Sequence, residues 1–186
     1  MAIEAHRSYA DAVRDALGRL EAAGLRWYLT GSEALGPYAV PRQTDDTDVV
    51  VDLPASDFER VFAPFEDAFA VARPIRTPGR WLASLVSLEG WGKVDIVLRD
   101  DDPWGRVALE RRRRFEHPAY GPVWLSSPED LLLAKLEWSE GTSELQLRDC
   151  VELLRANPGL DRAYLDRHAA VLGVADLLAR VRDYAT

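Results

Sequence analysis

Two short polar motifs lie close together near the start of the chain, Gly31-Ser32 and Asp46-x-Asp48. Side chains of a β-strand alternate between its two faces, so Asp46 and Asp48 should point to the same face. Two such carboxylates repel each other unless a cation lies between them, and Mg²⁺ binds carboxylates together with water and substrate phosphates. A Gly-Ser pair at a strand-to-helix turn offers backbone N–H groups and a hydroxyl to an anion. Together the two motifs suggest a site for a nucleotide and a metal ion.

A third carboxylate, Asp95, lies within the apolar run 93–98. A buried carboxylate is costly unless it is paired or bound to a metal. A salt bridge with Lys93 or an arginine would also satisfy Asp95. Asp46, for its part, belongs to a segment, 44–47, whose composition is typical of a solvated turn. From the residues alone, the metal-ligand and the ordinary structural interpretations both stay open.

Four further residues have side chains that could take part in a site. Arg42 precedes the aspartate pair, where it would contact phosphate or remain solvated. Lys135 lies among leucines, so its ammonium either reaches the edge of that helical face or meets an anion. Asp149 follows in the next predicted helix, where a surface partner four residues away would explain it. Cys150 is the single cysteine and is expected in the core, and one cysteine allows neither an intrachain disulfide nor a Cys-based zinc site.

Hydrophobic patterning predicts an α/β half up to about residue 125 and an all-helical remainder. Strands are expected at 25–30, 47–53, 81–88, 93–98 and 123–125. Helices are expected at 5–23, 57–69, 104–115, 128–138, 143–156, 161–171 and 174–184, with a short one at 32–35. Arg111, Arg112, Arg113 and Arg114 fall within the predicted helix 104–115. They are expected to form a solvated face, with contact to phosphate or an RNA backbone as the alternative.

Length and charge narrow the class of protein. The 186 residues suit one domain, or a domain with a helical extension. A net charge of −8 argues against broad binding to nucleic acid, which depends on neutralising phosphates with basic side chains. The N-terminal residues lack a signal-peptide pattern, and no apolar run has the length of a membrane span. A cytoplasmic protein without a membrane partner is therefore expected.

The motifs taken together resemble the DNA polymerase β-like nucleotidyltransferase superfamily. Gly31-Ser32, Asp46-x-Asp48 at a strand start and Asp95 on a later strand carry the resemblance. The stretch 42–51 is similar to the minimal bacterial branches, including nucleotidyltransferases of toxin–antitoxin and abortive-infection systems. The stretches 127–138, 146–149 and 160–165 resemble the helical tail of one branch.

The resemblance implies an α/β (α+β) fold and an activity. Residues 1–125 would form a small mixed-sheet nucleotidyltransferase core flanked by helices, and residues 126–186 a helical bundle packed on it. The chain would transfer a nucleoside monophosphate from an NTP to an acceptor hydroxyl and release pyrophosphate. The acceptor would be a protein hydroxyl, a tRNA end or a small molecule, and a cognate antitoxin or toxin would be a further partner.

The resemblance also implies roles for individual residues. Asp46, Asp48 and Asp95 would bind Mg²⁺ or Mn²⁺ ions that bridge the triphosphate, and Asp95 would help to deprotonate the attacking hydroxyl. The nucleotide contacts would come from Gly31 and Ser32, which hold the β and γ phosphates, and from Arg42 and Thr44. Lys135 and Asp149 match, by position, catalytic residues of the toxin relatives.

One residue departs from the pattern of the superfamily, because Thr47 stands where an apolar residue usually separates the two aspartates. This change should not disable metal binding. Two other functions are compatible with the same motifs. The first is a non-catalytic binding module or antitoxin-like partner with the same fold, and the second is a tRNA-modifying toxin.

Overall fold

The computed structural model describes residues 8–41, 44, 46–53, 57–72, 74–77, 79–90, 92–99 and 102–185. Arg42, predicted to contact the nucleotide, lies outside these residues. The described residues form seven α-helices and one mixed eight-stranded sheet, which confirms the predicted fold class. None of the helices in the described ranges is both long enough and apolar enough to cross a membrane.

The first part of the chain contains both strands and helices, and residues 126–185 contain helices and no strand. The strands are β1 (Trp27–Leu29), β2 (Asp46–Val51), β3 (Phe69–Val71), β4 (Ile75–Thr77), β5 (Arg80–Ser87), β6 (Lys93–Arg99), β7 (Arg113–His117) and β8 (Gly121–Leu125). The helices are α1 (Tyr9–Ala22), α2 (Phe58–Phe62), α3 (Pro103–Glu110), α4 (Pro128–Ser139), α5 (Glu144–Ala156), α6 (Arg162–Val171) and α7 (Ala175–Ala185). Short 3₁₀ turns occupy Glu33–Leu35 and Ala63–Phe65.

Contacts between residues divide the chain into two compact units. The first unit comprises residues 1–29 and 44–125 and contains the whole sheet with α1, α2 and α3. The second unit comprises residues 30–43 and 126–186 and contains α4 to α7. Gly31 and Ser32, which follow β1 in the chain, belong to the second unit.

The sheet of the first unit has the strand order β3-β5-β6-β2-β1-β8-β7, and β4 pairs with β5. Its two central strands, β2 and β6, run parallel, while β1 is antiparallel to β2. Along β2, buried residues alternate with half-buried ones, and Thr47, Val49 and Val51 are the buried set. The sheet therefore has one face packed into the core and one partly open face at this position.

Helix α1 covers part of the buried face of the sheet. Ser8 caps it, and Ala12, Val13, Ala16, Leu17 and Leu20 form its buried stripe at helical spacing. The helix packs against β6, and at Gly92 the approach is especially close. A Cβ atom at Gly92 would lie 2.9 Å from a ring carbon of Tyr9, so a larger residue there would push the tyrosine aside.

Two predicted helices of the first unit are wrong in part. The helix expected at 57–69 ends at Phe62, and a 3₁₀ turn containing Pro64 follows, since proline interrupts helical hydrogen bonding. The helix expected at 104–115 ends at Glu110. Arg113 and Arg114 lie instead in β7, which pairs antiparallel with β8. Strands β3, β4 and β7 were not predicted, because each is short and lacks a clear apolar alternation.

The helices of the second unit begin and end close to their predicted bounds. The Ser127 hydroxyl accepts a hydrogen bond from the Asp130 backbone N–H at 3.1 Å and caps α4, as its sequence indicates. Asp130 in turn accepts a hydrogen bond from the Tyr164 hydroxyl at 2.5 Å. Because both side chains are buried, this bond fixes α6 against the start of α4.

Candidate functional site

The pairing of β2 with β6 brings three aspartates to one face of the sheet. In the parallel register, Asp46 lies beside Lys93 and Asp48 lies beside Asp95. Partners in this register point the same way, and side chains two apart on a strand share a face. Asp46, Asp48, Lys93 and Asp95 therefore project together from the partly open face. The structure thus places the three aspartates predicted as metal ligands on the same face of two adjacent strands.

The Lys93 ammonium lies between two of these carboxylates. Its Nζ atom is 3.2 Å from Asp46 Oδ1 and 2.9 Å from Asp95 Oδ2. Partial burial opposes the charge of Lys93, but the hydrogen bonds to Asp95 and Asp46 outweigh it and raise the pKa of the ammonium. The Lys93–Asp95 ion pair, one of the alternatives left open by the sequence, is therefore present.

Asp95 has a second hydrogen-bond partner, which lies on strand β5. Strand β5 pairs antiparallel with β6 and places Ser84 opposite Asp95. The Ser84 hydroxyl donates a hydrogen bond to Asp95 Oδ1 at 2.5 Å. Both oxygens of Asp95 are thus engaged, one by a neutral donor and one by a cation. Ser84 was not identified from the sequence, because only the strand register shows which residue of β5 faces Asp95.

Thr47, the departure from the usual pattern, lies on the opposite face of β2. It is fully buried, and its hydroxyl lies 2.6 Å from the Tyr9 hydroxyl of α1. The polar side chain therefore has a hydrogen-bond partner inside the core. Its orientation away from Asp46 and Asp48 explains why a threonine is tolerated between them.

Thr44, predicted to contact the nucleotide, bonds to the backbone of Asp46. Its Oγ1 donates to the Asp46 carbonyl at 3.1 Å and accepts from the Asp46 N–H at 3.3 Å. These bonds fix the chain where β2 begins, and so help to hold Asp46 in its register beside Lys93. A role of Thr44 in binding a nucleotide stays a prediction.

The chemistry of the aspartate set suits a divalent cation. Carboxylate oxygens on adjacent strands are the ligands that Mg²⁺ and Mn²⁺ prefer, and a cationic group, the Lys93 ammonium, already lies among them. Within the described ranges, no three His, Cys, Asp or Glu side chains are grouped so as to hold a metal ion. Metal binding would therefore require the Lys93 ammonium to leave Asp46 and Asp95.

Gly31 and Ser32 lead into the 3₁₀ turn Glu33–Leu35 of the second unit. Gly31 has a φ of 65°, a conformation that favours glycine because it carries no Cβ atom. Ser32 is buried and makes no side-chain capping bond to the turn. The expected short helix is therefore a single 3₁₀ turn, and phosphate binding by Gly31 and Ser32 stays a prediction.

Lys135 and Asp149 form a buried ion pair within the helical unit. The Lys135 ammonium donates to Asp149 Oδ2 at 2.8 Å and to Gln146 Oε1 at 3.0 Å. The two charged side chains are only 2% and 6% exposed. The expectation that Asp149 has a surface partner on its own helix is wrong, because Asp149 pairs across from α5 to α4. Catalytic roles for these two residues stay predictions.

Cys150 is a core residue, as predicted. It is buried, and burial raises the pKa of its thiol to about 12, so the reactive thiolate is suppressed.

Two arginines of the run 111–114 stack on a tryptophan of β8. Arg112 and Arg114 place their guanidinium groups over the Trp124 ring, 4.6 Å and 5.1 Å from its centroid. These contacts stabilise the β7–β8 pair through cation–π attraction.

Comparison with known proteins places the fold. No protein-family model matches the sequence, and no curated protein is similar to it in sequence. Among solved structures, the antibiotic-resistance factor ANT(2″)-Ia is similar with a TM-score of 0.55 and 16% identity, over 94% of this chain and 91% of that one. A second structure of ANT(2″)-Ia, with adenylyl-2″-tobramycin, has a TM-score of 0.55 and 14% identity, over 95% and 98% of the two chains.

Two further proteins are similar in structure. The lincosamide antibiotic adenylyltransferase LnuA, bound to lincomycin, has a TM-score of 0.52 and 16% identity, over 80% of this chain and 98% of that one. An antigenic nucleotidyltransferase-like protein from Paracoccidioides brasiliensis has a TM-score of 0.51 and 16% identity, over 93% and 92%. The fold expected from the motifs is therefore confirmed, and the chain has the nucleotidyltransferase fold.

Proposed function

We propose that this protein is a metal-dependent nucleotidyltransferase. It transfers a nucleoside monophosphate from an NTP to an acceptor hydroxyl and releases pyrophosphate. The observation that carries the proposal is the placement of Asp46, Asp48 and Asp95 on one face of two adjacent parallel strands. Like charges on neighbouring positions of a sheet repel each other, and a bound cation would offset that repulsion.

The reaction replaces one bond to phosphorus with another. The acceptor oxygen bonds to the α-phosphorus, the bond from that phosphorus to the oxygen bridging it to the β-phosphate breaks, and pyrophosphate leaves with the bonding electrons. Bound at the three carboxylates, divalent metal ions would neutralise the charge on the attacking and leaving oxygens. Gly31 and Ser32 would hold the terminal phosphates through backbone N–H groups and a hydroxyl.

In the proposed reaction, Asp95 would help to deprotonate the acceptor hydroxyl. Ser84 holds one of its oxygens, Oδ1, and Lys93 faces the other, Oδ2. Departure of Lys93 would free Oδ2, and Asp95 would then complete the metal-binding set and help to remove the proton of the acceptor hydroxyl. The Ser84 bond to Oδ1 would limit rotation of the carboxylate.

A small-molecule hydroxyl is the acceptor that the observations favour. Two structures with this fold are named for such compounds, ANT(2″)-Ia with adenylyl-2″-tobramycin and LnuA with lincomycin. The net charge of −8 also favours a neutral or cationic acceptor over RNA. A protein hydroxyl and a tRNA end are the competing acceptors.

The test is transfer of label from each of the four α-labelled NTPs, with Mg²⁺ or Mn²⁺, into a cell lysate. The lysate is then separated into small molecules, protein and RNA. In the small-molecule fraction, we expect a labelled product that differs from the NTP and its hydrolysis products with the wild type, and no such product with Asp48→Asn. The matched control is Asp52→Asn, a carboxylate just beyond the other end of β2 that pairs with the exposed Arg26 and should leave labelling unchanged.

Thermal stability gives a second readout that does not need the acceptor. A nucleotide at about 100 times its Kd should stabilise the fold by roughly 2.7 kcal/mol. If no NTP with metal stabilises the wild type and no fraction contains a labelled transfer product, the protein is a non-catalytic binding module. Label in RNA, with growth arrest that Asp46→Asn abolishes, would instead identify a tRNA-modifying toxin.

A further inference from the structure

Lysine is rare in this chain, and each lysine lies beside an aspartate of the predicted site. Of 23 basic residues, only Lys93 and Lys135 are lysines, and the others are arginines. Each lysine contacts an aspartate predicted to take part in the reaction. An ammonium is a compact point charge, whereas a guanidinium is a planar fork that binds a carboxylate through two parallel bonds. At position 93, the compact cation fits between carboxylates of two different strands.

The geometry at Lys93 resembles that of a bound cation. Its Nζ atom bridges Asp46 on β2 and Asp95 on β6, at 3.2 Å and 2.9 Å. The side chain is 38% exposed, so the ammonium can leave the carboxylates for solvent without being pulled from the core. Without this charge, the two carboxylates would repel each other across the strand pair.

We propose that Lys93 is a built-in counter-cation that holds the aspartate set together before the metal arrives and is displaced when a divalent cation binds. The inference rests on the proposed function, because it assumes that these carboxylates receive a metal. Lys93 then has two effects, one on stability and one on metal affinity. It stabilises the metal-free fold, and it competes with the metal for Asp46 and Asp95. A purely structural ion pair would do only the first.

The test measures binding of Mn²⁺ alone, without nucleotide, by the loss of the electron paramagnetic resonance signal of free Mn²⁺. Lys93→Met removes the charge and keeps most of the chain length. Removing one positive charge a few ångströms from the metal should tighten Mn²⁺ binding on the order of tenfold. Lys93→Arg, which keeps the charge, should show no such gain. The double variant Lys93→Met/Asp46→Asn should lose it.

Melting curves supply the second readout on the same proteins. We expect Lys93→Met to melt below the wild type without metal and to gain more from Mn²⁺ than the wild type does. If Lys93→Met does not fold, Lys93→Gln replaces it in both measurements. Mn²⁺ binding by the uncharged variant that is equal to or weaker than that of the wild type would overturn the inference.

The nucleotide complex separates this inference from the proposed function. One outcome is that the wild type binds Mn²⁺ with ATP and that Lys93→Met binds Mn²⁺ no more tightly than the wild type does. This outcome overturns the role of Lys93 but leaves the proposed function standing. Absence of binding to Mn²⁺, alone and with any NTP, in both proteins overturns the proposed function and the inference together. Tighter Mn²⁺ binding in Lys93→Met supports both.

Discussion

Asp95 depends on neighbours from two strands at once. Lys93 precedes it by two residues on β6, whereas Ser84 reaches it from β5. The lysine was visible in the sequence as a partner, because residues two apart on a strand share a face. The serine was not, because its position opposite Asp95 depends on a register that the intervening loop does not specify.

Ser84 is a positioning residue for the proposed reaction. We expect Ser84→Ala to lower kcat by roughly tenfold with little change in KM for the NTP. The reason is that Asp95, the proposed general base, loses the hydrogen bond that orients its carboxylate. The free energy of unfolding should fall by only about 1 kcal/mol. Steady-state kinetics and urea denaturation measure the two effects. Ser84→Thr keeps the hydroxyl and should restore kcat, and full activity in Ser84→Ala would contradict the role.

At the scale of elements, long and strongly patterned segments were predictable and short ones were not. Helices α4 to α7 were expected within a few residues of their bounds, since their caps and apolar spacing agree. Strand β7 was mistaken for helix, because four consecutive arginines carry no hydrophobic period. Its strand conformation depends on pairing with β8 and on stacking against Trp124, and a local pattern contains neither.

The Lys135–Asp149 pair joins α4 to α5, and its loss tests how these helices are held. Lys135→Met leaves the Asp149 carboxylate buried without its cation, which should cost about 3–5 kcal/mol of unfolding free energy. Lys135→Met/Asp149→Leu makes both positions apolar and should recover most of that loss. Urea denaturation measures each step.

The exposed pair Arg14–Asp11 is the matched control for this experiment. Its disruption by Arg14→Met should cost less than about 1 kcal/mol. Equal losses at the buried and exposed pairs would show that burial does not determine the contribution of Lys135. Loss of labelling in a folded double variant would support the predicted catalytic roles of Lys135 and Asp149.

At the scale of the whole molecule, charge limits the partners that the chain attracts. A net charge of −8 spreads a negative potential around the protein and opposes non-specific contact with phosphates. The residue types of the candidate site were predictable because carboxylates in apolar strands are rare and costly. The acceptor was not, because acceptor specificity depends on the shape of a surface rather than on a motif.

Binding to short random-sequence RNA tests this view of the charge. At about 150 mM salt, we expect a Kd above roughly 100 μM, at the weak end of the range for non-specific binding. Fluorescence anisotropy with labelled RNA makes the measurement. Binding at low micromolar concentration with a steep salt dependence would contradict the expectation. Its loss in Arg113→Glu/Arg114→Glu would then identify β7 as the contact.

A shortened form of this fold cannot dispense with its first helix. Removing α1 would leave every aspartate of the set in the chain, yet it would uncover β6, the strand that carries Asp95. The Thr47 hydroxyl would lose Tyr9, and a buried polar group without a partner costs about 1–3 kcal/mol. The smallest working version of this protein therefore extends back at least to Tyr9.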